Sequence, residues 1–249
     1  MPDLALVEVL EKRLVNAWPA LETLALDGWL MRFARGYSKR ANSVSAMTPG
    51  VSLDAAAIHF AAELYRAQKI RPTFRLSPLA APDADNALSD AGFELFDESL
   101  CLTAPLGLGG GRADRRIAVS PKPTPSWVST AAAAYGGDKA DHEALGEIVA
   151  RIRPAAAFAT LAEDGTDLAF GLAVAERGYV GLFDIVVAPE ARGRGLGRAV
   201  TTTLMRWGRG EGAHAAYLQV RLANEVAIGL YASLGFKEAY RYTHRIEPR

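Results

Sequence analysis

Cysteine is almost missing from this chain, and Cys101 stands alone. One thiol forms no internal disulfide, so stability has to come from core burial, and a reducing compartment fits. Cys101 lies in the apolar run SLCLTAPL, a setting for a core residue rather than a nucleophile. The four histidines (His59, His142, His214, His244) are scattered without metal-ligand spacing, so no metal is expected. A charge excess is lacking too: 28 Lys and Arg balance 28 Asp and Glu. No global field then draws the chain to nucleic acid or to a membrane surface. No apolar run reaches membrane-spanning length, and the N-terminus carries no basic-then-apolar signal pattern. The expectation is a cytoplasmic protein with neither nucleic acid nor membrane among its partners. G-x-x-x-x-G-K-[ST] and G-x-G-x-x-G are both absent, which leaves nucleoside triphosphate hydrolysis and dinucleotide binding without support.

What is present is a balanced globular composition, 50% hydrophobic and 22% charged, over 249 residues. That length suits one large or two small domains. The chain is organised around Val180 to Arg198, VGLFDIVVAPEARGRGLGR. LFDIVVA is short and β-branched, and Pro189 stops it, so a buried strand is predicted. Beyond it Leu196, Val200, Leu204 and Trp207 recur at helical spacing. Arg192 to Gly197 therefore falls on a helix N-terminus, where unpaired N–H groups and a partial positive charge suit an anion. Gly193, Gly195 and Gly197 let a phosphate approach the backbone, and Arg192, Arg194 and Arg198 add cations. A pyrophosphate is the ligand such a loop would hold.

Upstream, periodicity predicts helices over 4–15, 53–68 and 83–90, with strands at 28–33, 41–47, 72–76 and 93–103. The Gly-rich PLGLGGG and Pro-rich SPKPTP break the pattern, and a boundary is placed near 106–114. Two domains are predicted, 1–108 and 109–249. In the second, a strand in ADRRIAV precedes helices from about Ser126 to Tyr135 and Asp141 to Arg151. Strands at 155–162 and 168–176 flank Asp164-Gly165, a hairpin turn signal. After the loop helix come a strand (215–220), a helix (224–234) and a last strand (236–246).

Arg192-x-x-Gly195-x-Gly197 after a strand ending Val-x-Pro resembles the acyl-CoA loop of the GNAT superfamily of N-acetyltransferases. The order β-α-α-β-β-β-α-β-α-β from residue 115 is similar to that fold, as are Asn224 to Tyr231 and Leu234-Gly235-Phe236. The resemblance implies an α/β (α+β) fold with a mixed, mostly antiparallel sheet flanked by helices. It also implies acetyl-CoA as cosubstrate and an amine acceptor as partner, with a homodimer possible. The loop would anchor CoA, main-chain groups of Ile185 and Val187 would pair with the pantetheine arm, and the Val187 N–H would polarise the thioester carbonyl. Such pairing needs the strand to splay from 215–220, and a bulge near Ala188-Pro189 is expected to open it. Tyr231 is the candidate acid for the thiolate, and Asn224 an N-cap near the pantetheine. Asp184, the one ionisable residue in LFDIVVA, is the candidate base, since burial would raise its pKa, with bulk water as the alternative; Glu176, Gln219 and Tyr242 are weaker candidates.

The first half echoes the second. Ala91-Gly92-Phe93 parallels Leu234-Gly235-Phe236, and Phe74 to Phe93 spans 19 residues, as does Tyr217 to Phe236. Met47-Thr48-Pro49 parallels Val187-Ala188-Pro189, but GVSLDAA follows in place of the Arg/Gly loop. A tandem arrangement with a smaller, degenerate GNAT-like first half is inferred, its Arg32, Arg35, Lys39, Arg40 and Asn42 clustered near its first strands. An N-acetyltransferase of a small-molecule, peptide or protein amine is the leading reading. The alternative is a non-catalytic acyl-CoA sensor.

Overall fold

A computed structural model describes residues 2–107, 114–134 and 136–249. The predicted 108/109 cut and the predicted helix end at Tyr135 lie outside them. Helix α1 (Leu4–Ala17) leads to strands β1 (Glu22–Leu26), β2 (Trp29–Phe33) and β3 (Val44–Ala46). Helix α2 (Ala55–Ala67), strand β4 (Thr73–Leu76), helix α3 (Ala84–Asp90) and strand β5 (Glu94–Pro105) follow. Then come β6 (Ile117–Ser120), α4 (Pro125–Ala134), α5 (Lys139–Ala150), β7 (Ala155–Glu163), β8 (Thr166–Glu176) and β9 (Tyr179–Val187). The chain ends with α6 (Leu196–Gly210), β10 (Ala215–Arg221), α7 (Glu225–Ala232) and β11 (Lys237–Ile246). The expected mixed, mostly antiparallel sheet flanked by helices is present. β1 escapes sequence reading because ETLAL is exposed along most of its length and so shows no in–out alternation.

Local chemistry sets the ends of these elements. Asp3 accepts from the Ala5 and Leu6 N–H groups and caps α1, Asp54 caps α2 through Ala57, and Asp138 with Asp141 forms a capping box on α5. Three two-residue hairpins use the same solution, positive φ at both turn positions: Asp27-Gly28, Asp164-Gly165 and Arg177-Gly178.

The chain divides into two compact units. The first comprises Met1–Cys101, Val220–Asn224 and Glu238–Arg249, and the second Leu102–Gln219 and Glu225–Lys237. Residues 238–249 thus group with the first half, whereas a single cut at 108/109 would put them in the second. The cause is strand pairing: β11 runs antiparallel to β4, Arg245 opposite Phe74 and His244 opposite Arg75.

In the first unit the strand order is β1-β2-β3-β4-β11-β5. One sheet face is apolar, with Phe33 stacked on Tyr65 of α2 and Phe74 edge-on to Phe93. The opposite face carries buried Arg32, Ser45, Arg75 and His244, and Glu11 of α1 pairs with Arg75 there. In the second unit the order is β10-β9-β8-β7-β6, parallel between β9 and β10 and antiparallel elsewhere. Trp127 of α4 packs edge-on against Phe158 and Phe170, with ring centroids 5.0 and 5.9 Å away. Gly171, next along β8, meets α6 instead, so α4 and α6 cover opposite faces.

Candidate active site

The site is built on the C-terminal end of β9. Phe170 of β8 pairs with Val186 and Leu172 with Phe183, so Asp184 and Ile185 together oppose Gly171. This is a β-bulge, two residues against one, and Asp184 takes φ +48° in it. The bulge lies four residues before the expected Ala188-Pro189. Asp is among the few side chains that tolerate positive φ, and Gly171 leaves the space across the ladder that Ile185 fills. A Cβ on Gly171 would fall 2.6 Å from Ile185 Cδ1 and 3.0 Å from both Val200 Cγ1 and Leu204 Cδ1. Gly171→Val is therefore expected to cost about 1–3 kcal/mol by overpacking. A thermal melt would read this as a Tm lower by about 2–12 °C.

Two consequences follow for the strand edge. β9 and β10 stay in register for four pairs, the last being Leu182 with Leu218. That pairing ends two residues before the bulge. The Ala188 N–H bonds the Leu168 carbonyl at 2.9 Å. Antiparallel residues face their partner alternately, so the Val187 N–H turns away from β8.

Pro189–Ala191 then makes one 3-10 turn, and Gly193 and Gly195 take φ +75° and +76°. Gly195 is the N-cap of α6 in the left-handed region and brings no side-chain cap. Its left-handed conformation favours glycine, and the first-turn N–H groups receive no side-chain cap from it.

The three arginines have different partners. Arg194 forms a two-oxygen ion pair with Glu163, at 2.6 and 2.9 Å, and Arg116 lies 3.2 Å from the same carboxylate. Arg194 foremost holds the Glu163 carboxyl below its usual range. Arg198 donates to the Ser233 hydroxyl, and Arg192 Nε is 3.5 Å from the Val187 carbonyl. Glu163 and Ser233 carried no sequence signal, since both are polar residues at the ends of elements. Gly171 did carry one, as an isolated glycine inside a strand pattern.

Helix α7 closes on this loop. A Cβ on Gly197 would sit 3.4 Å from Leu230 Cδ2 and 3.5 Å from Val187 Cγ2, so β9, α6 and α7 meet there. Tyr231 follows Leu230 directly. It is buried, edge-on to Phe236 at 5.7 Å, and burial pushes its hydroxyl up to about 12. Asn224 occupies the position before α7, as expected, although it groups with the first unit. Asp184 is buried, three residues from Val187 and so roughly 10 Å along the strand. Tyr242 belongs to the first unit, where the Arg75 guanidinium lies 3.8 Å over its ring. Glu176 lies at the far end of β8 beside Arg177.

Comparison with known proteins now decides the family. Residues 5–245 match the family described as "Probable histone acetyltransferase Rv0428c C-terminal". The chain belongs to this family. The "Uncharacterized N-acetyltransferase YobR" of Bacillus subtilis (strain 168) is 29% identical over 247 residues, covering 97% of this chain and 98% of that one. A GCN5-related N-acetyltransferase from Kribbella flavida superposes with TM-score 0.70 at 18% identity, covering 100% and 97% of the two chains. A tandem GNAT protein from the clavulanic acid biosynthesis pathway superposes with TM-score 0.60 at 15% identity, covering 77% and 66%. The fold is that of the GNAT acetyltransferases. Among the described residues no cluster of His, Cys, Asp and Glu could hold a metal, and no helix is long and apolar enough to cross a membrane.

Proposed function

We propose that this chain is an acetyl-CoA-dependent N-acetyltransferase that acts on a primary amine of a small molecule, peptide or protein. The observation that carries the reading is the left-handed, uncapped N-terminus of α6, reached by a short loop from the bulged end of β9. Backbone N–H groups from Arg192 to Arg198 would receive the CoA pyrophosphate, with Arg192 and Arg198 beside it. The Arg194–Glu163 pair is a brace that holds the loop in the conformation its glycines allow. Ile185 and Val187 would pair along the pantetheine arm, and Asn224 would lie near it.

Chemistry would then proceed at Val187. The acceptor amine, once deprotonated, attacks the thioester carbonyl carbon, and negative charge grows on the carbonyl oxygen. The Val187 N–H donates to that oxygen. The C–S bond breaks, the electron pair leaves on sulfur, and Tyr231 supplies the proton that makes the free thiol; the attacking nitrogen loses its second proton to water to give the neutral amide, and water returns a proton to Tyr231. Asp184 is the proposed base for the ammonium.

The first half is proposed to be a degenerate GNAT-like repeat. Its supports are local and repeated: β3 and β4 are parallel, as are β9 and β10. The Phe93 N–H bonds the Leu88 carbonyl after Gly92 at φ +85°, and the Phe236 N–H bonds the Tyr231 carbonyl after Gly235 at φ +88°. Leu88 therefore stands where the second half has Tyr231. A repeat with leucine at that position and no Arg/Gly loop has neither the acid nor the anchor.

Release of free thiol from acetyl-CoA against a broad amine panel tests the reading. CoA binding with no turnover on any amine would favour the sensor, and absence of binding would remove both. Gly195→Val adds a test of the loop. Space is open around Gly195, so the cost is the left-handed backbone, about 1–2 kcal/mol. The KM for acetyl-CoA is expected to rise about tenfold, with the fold retained by circular dichroism.

A further inference from the structure

The second unit carries a cavity that acetyl transfer does not use. Strand β6 pairs with β7 only as far as Ser120, opposite Phe158. Pro121 and Pro123 follow, and a residue without an N–H cannot donate to a ladder. Strand β7 starts three residues before Phe158. Among the described residues, Ala155, Ala156 and Ala157 therefore pair with β8 on one side and with no strand on the other. Along this stretch the main-chain N–H and C=O of every second residue turn to the uncovered side. A cavity of about 730 Å³ opens there, lined by Ala155, Ala156 and Phe158 of the strand, Val149 near the end of α5, and Trp207 and Glu211 at the end of α6. Phe158 meets Trp127 of α4, whereas α6 covers the opposite sheet face, so the cavity wraps round the strand edge. Ala155 is eight residues, roughly 26 Å, along β7 from Glu163, which holds Arg194 of the Arg/Gly loop.

The lining sets the chemistry of an occupant. An uncovered edge that offers N–H and C=O in alternation is matched by another extended main chain. Alanine at all three edge positions leaves room beside the strand, and Trp207, Phe158, Pro123 and Pro154 supply apolar surface around it. The volume lies in the range that seats a specific ligand. The charge is positive, with Lys122 and Arg153 lining the cavity against Glu211. Neither cation forms a side-chain hydrogen bond or ion pair among the described residues. Neighbouring charges keep that sign. Arg151, Arg206 and Arg209 stand beside lining residues in the sequence, and Glu147 pairs with Arg151 at 3.6 Å. Glu176 and Arg177, which follow the register partner of Ala155, cancel each other at 3.7 Å. The surroundings therefore favour acidic side chains on the added chain.

We propose that the second unit binds a short, extended, acidic segment of a partner protein at this edge, as an added strand beside Ala155–Ala157 with its carboxylates facing Lys122 and Arg153. The proposal does not rest on acetyl transfer. The probe is the blocked peptide acetyl-Val-Asp-Val-Glu-Val-amide, titrated into the whole chain by calorimetry with tryptophan fluorescence read in parallel. Trp18, Trp29 and Trp127 are at most 2% exposed and Trp207 is half-buried, so acrylamide quenching reports on Trp207. The expected result is saturable binding that protects Trp207 from the quencher, a signal that Trp207→Phe removes. Arg153→Ala combined with Lys122→Ala should raise the peptide Kd about tenfold. Both residues are exposed, so this variant should keep the parent Tm. The same peptide with Lys in place of Asp and Glu should bind at least about tenfold more weakly. Two further peptides are N-methylated on alternate residues, one on each set. The set that faces β7 should lose binding about tenfold or more, and the set that faces away should keep most of it. No saturable binding, equal binding of the Lys peptide, equal binding of the two methylated peptides, or an unchanged Kd in the double variant would overturn the proposal. Displacement of the peptide by an equal concentration of sodium benzoate would assign the cavity to a small anion and overturn it as well.

Discussion

Tyr231→Phe is expected to lower kcat by about 10²- to 10⁴-fold while acetyl-CoA still binds. Only the hydroxyl is removed, and the ring keeps its edge-on packing against Phe236. Thiol release gives kcat, and calorimetry gives acetyl-CoA affinity. A drop in both together would mean that the ring shapes the site and the hydroxyl does no chemistry. The pH profile supplies a second check. Burial raises the Tyr231 pKa to about 12, so the hydroxyl keeps its proton far into the alkaline range. An alkaline limb caused by this group should begin near 12, rather than near the ordinary value of about 10.

Glu11→Ala is expected to produce the largest loss of stability of any single change in the first unit. Glu11 and Arg75 are each 2% exposed at the side chain, and Tyr240 donates to the same carboxylate. Removing one member of a buried pair leaves the other charge in a low-dielectric interior, at a cost of about 3–5 kcal/mol. The damage is greater because Arg32 lies on the same face and Arg75 already depresses it; with burial as the main cause, Arg32 falls to about 10. In a chain of this length, Tm should fall by roughly 6–20 °C. The double variant Glu11→Leu with Arg75→Met separates pair loss from packing loss, because it removes both charges and keeps apolar volume. Recovery of much of the lost Tm would support the buried-charge account. A double variant no better than Glu11→Ala would point to shape instead.

The sequence by itself determined the parts of this protein whose causes are local. The Arg/Gly loop follows from Pro189 ending a β-branched run, from glycines at Gly193 and Gly195, and from helical spacing that begins at Leu196. The Asp164-Gly165 hairpin and the Asp caps follow from residues that satisfy backbone groups only a few positions away. Tyr231 could be singled out because Asn224 to Tyr231 and Leu234-Gly235-Phe236 resemble a helix and helix end of the GNAT superfamily.

Tertiary structure decided what depends on partners far along the chain. The bulge is set by a register between β8 and β9 that gives two residues to one glycine, and no single strand contains that information. β11 groups with the first unit because it pairs with β4, roughly 170 positions earlier in the sequence, and hydrogen-bonding edges do not record which half a strand came from. Arg75 and His244 read as scattered polar residues until alternation on two separate strands turns them to one face. Which side chains meet is fixed by sheet register, a long-range property, whereas the φ of a turn or the cap of a helix is fixed by residues within a few positions.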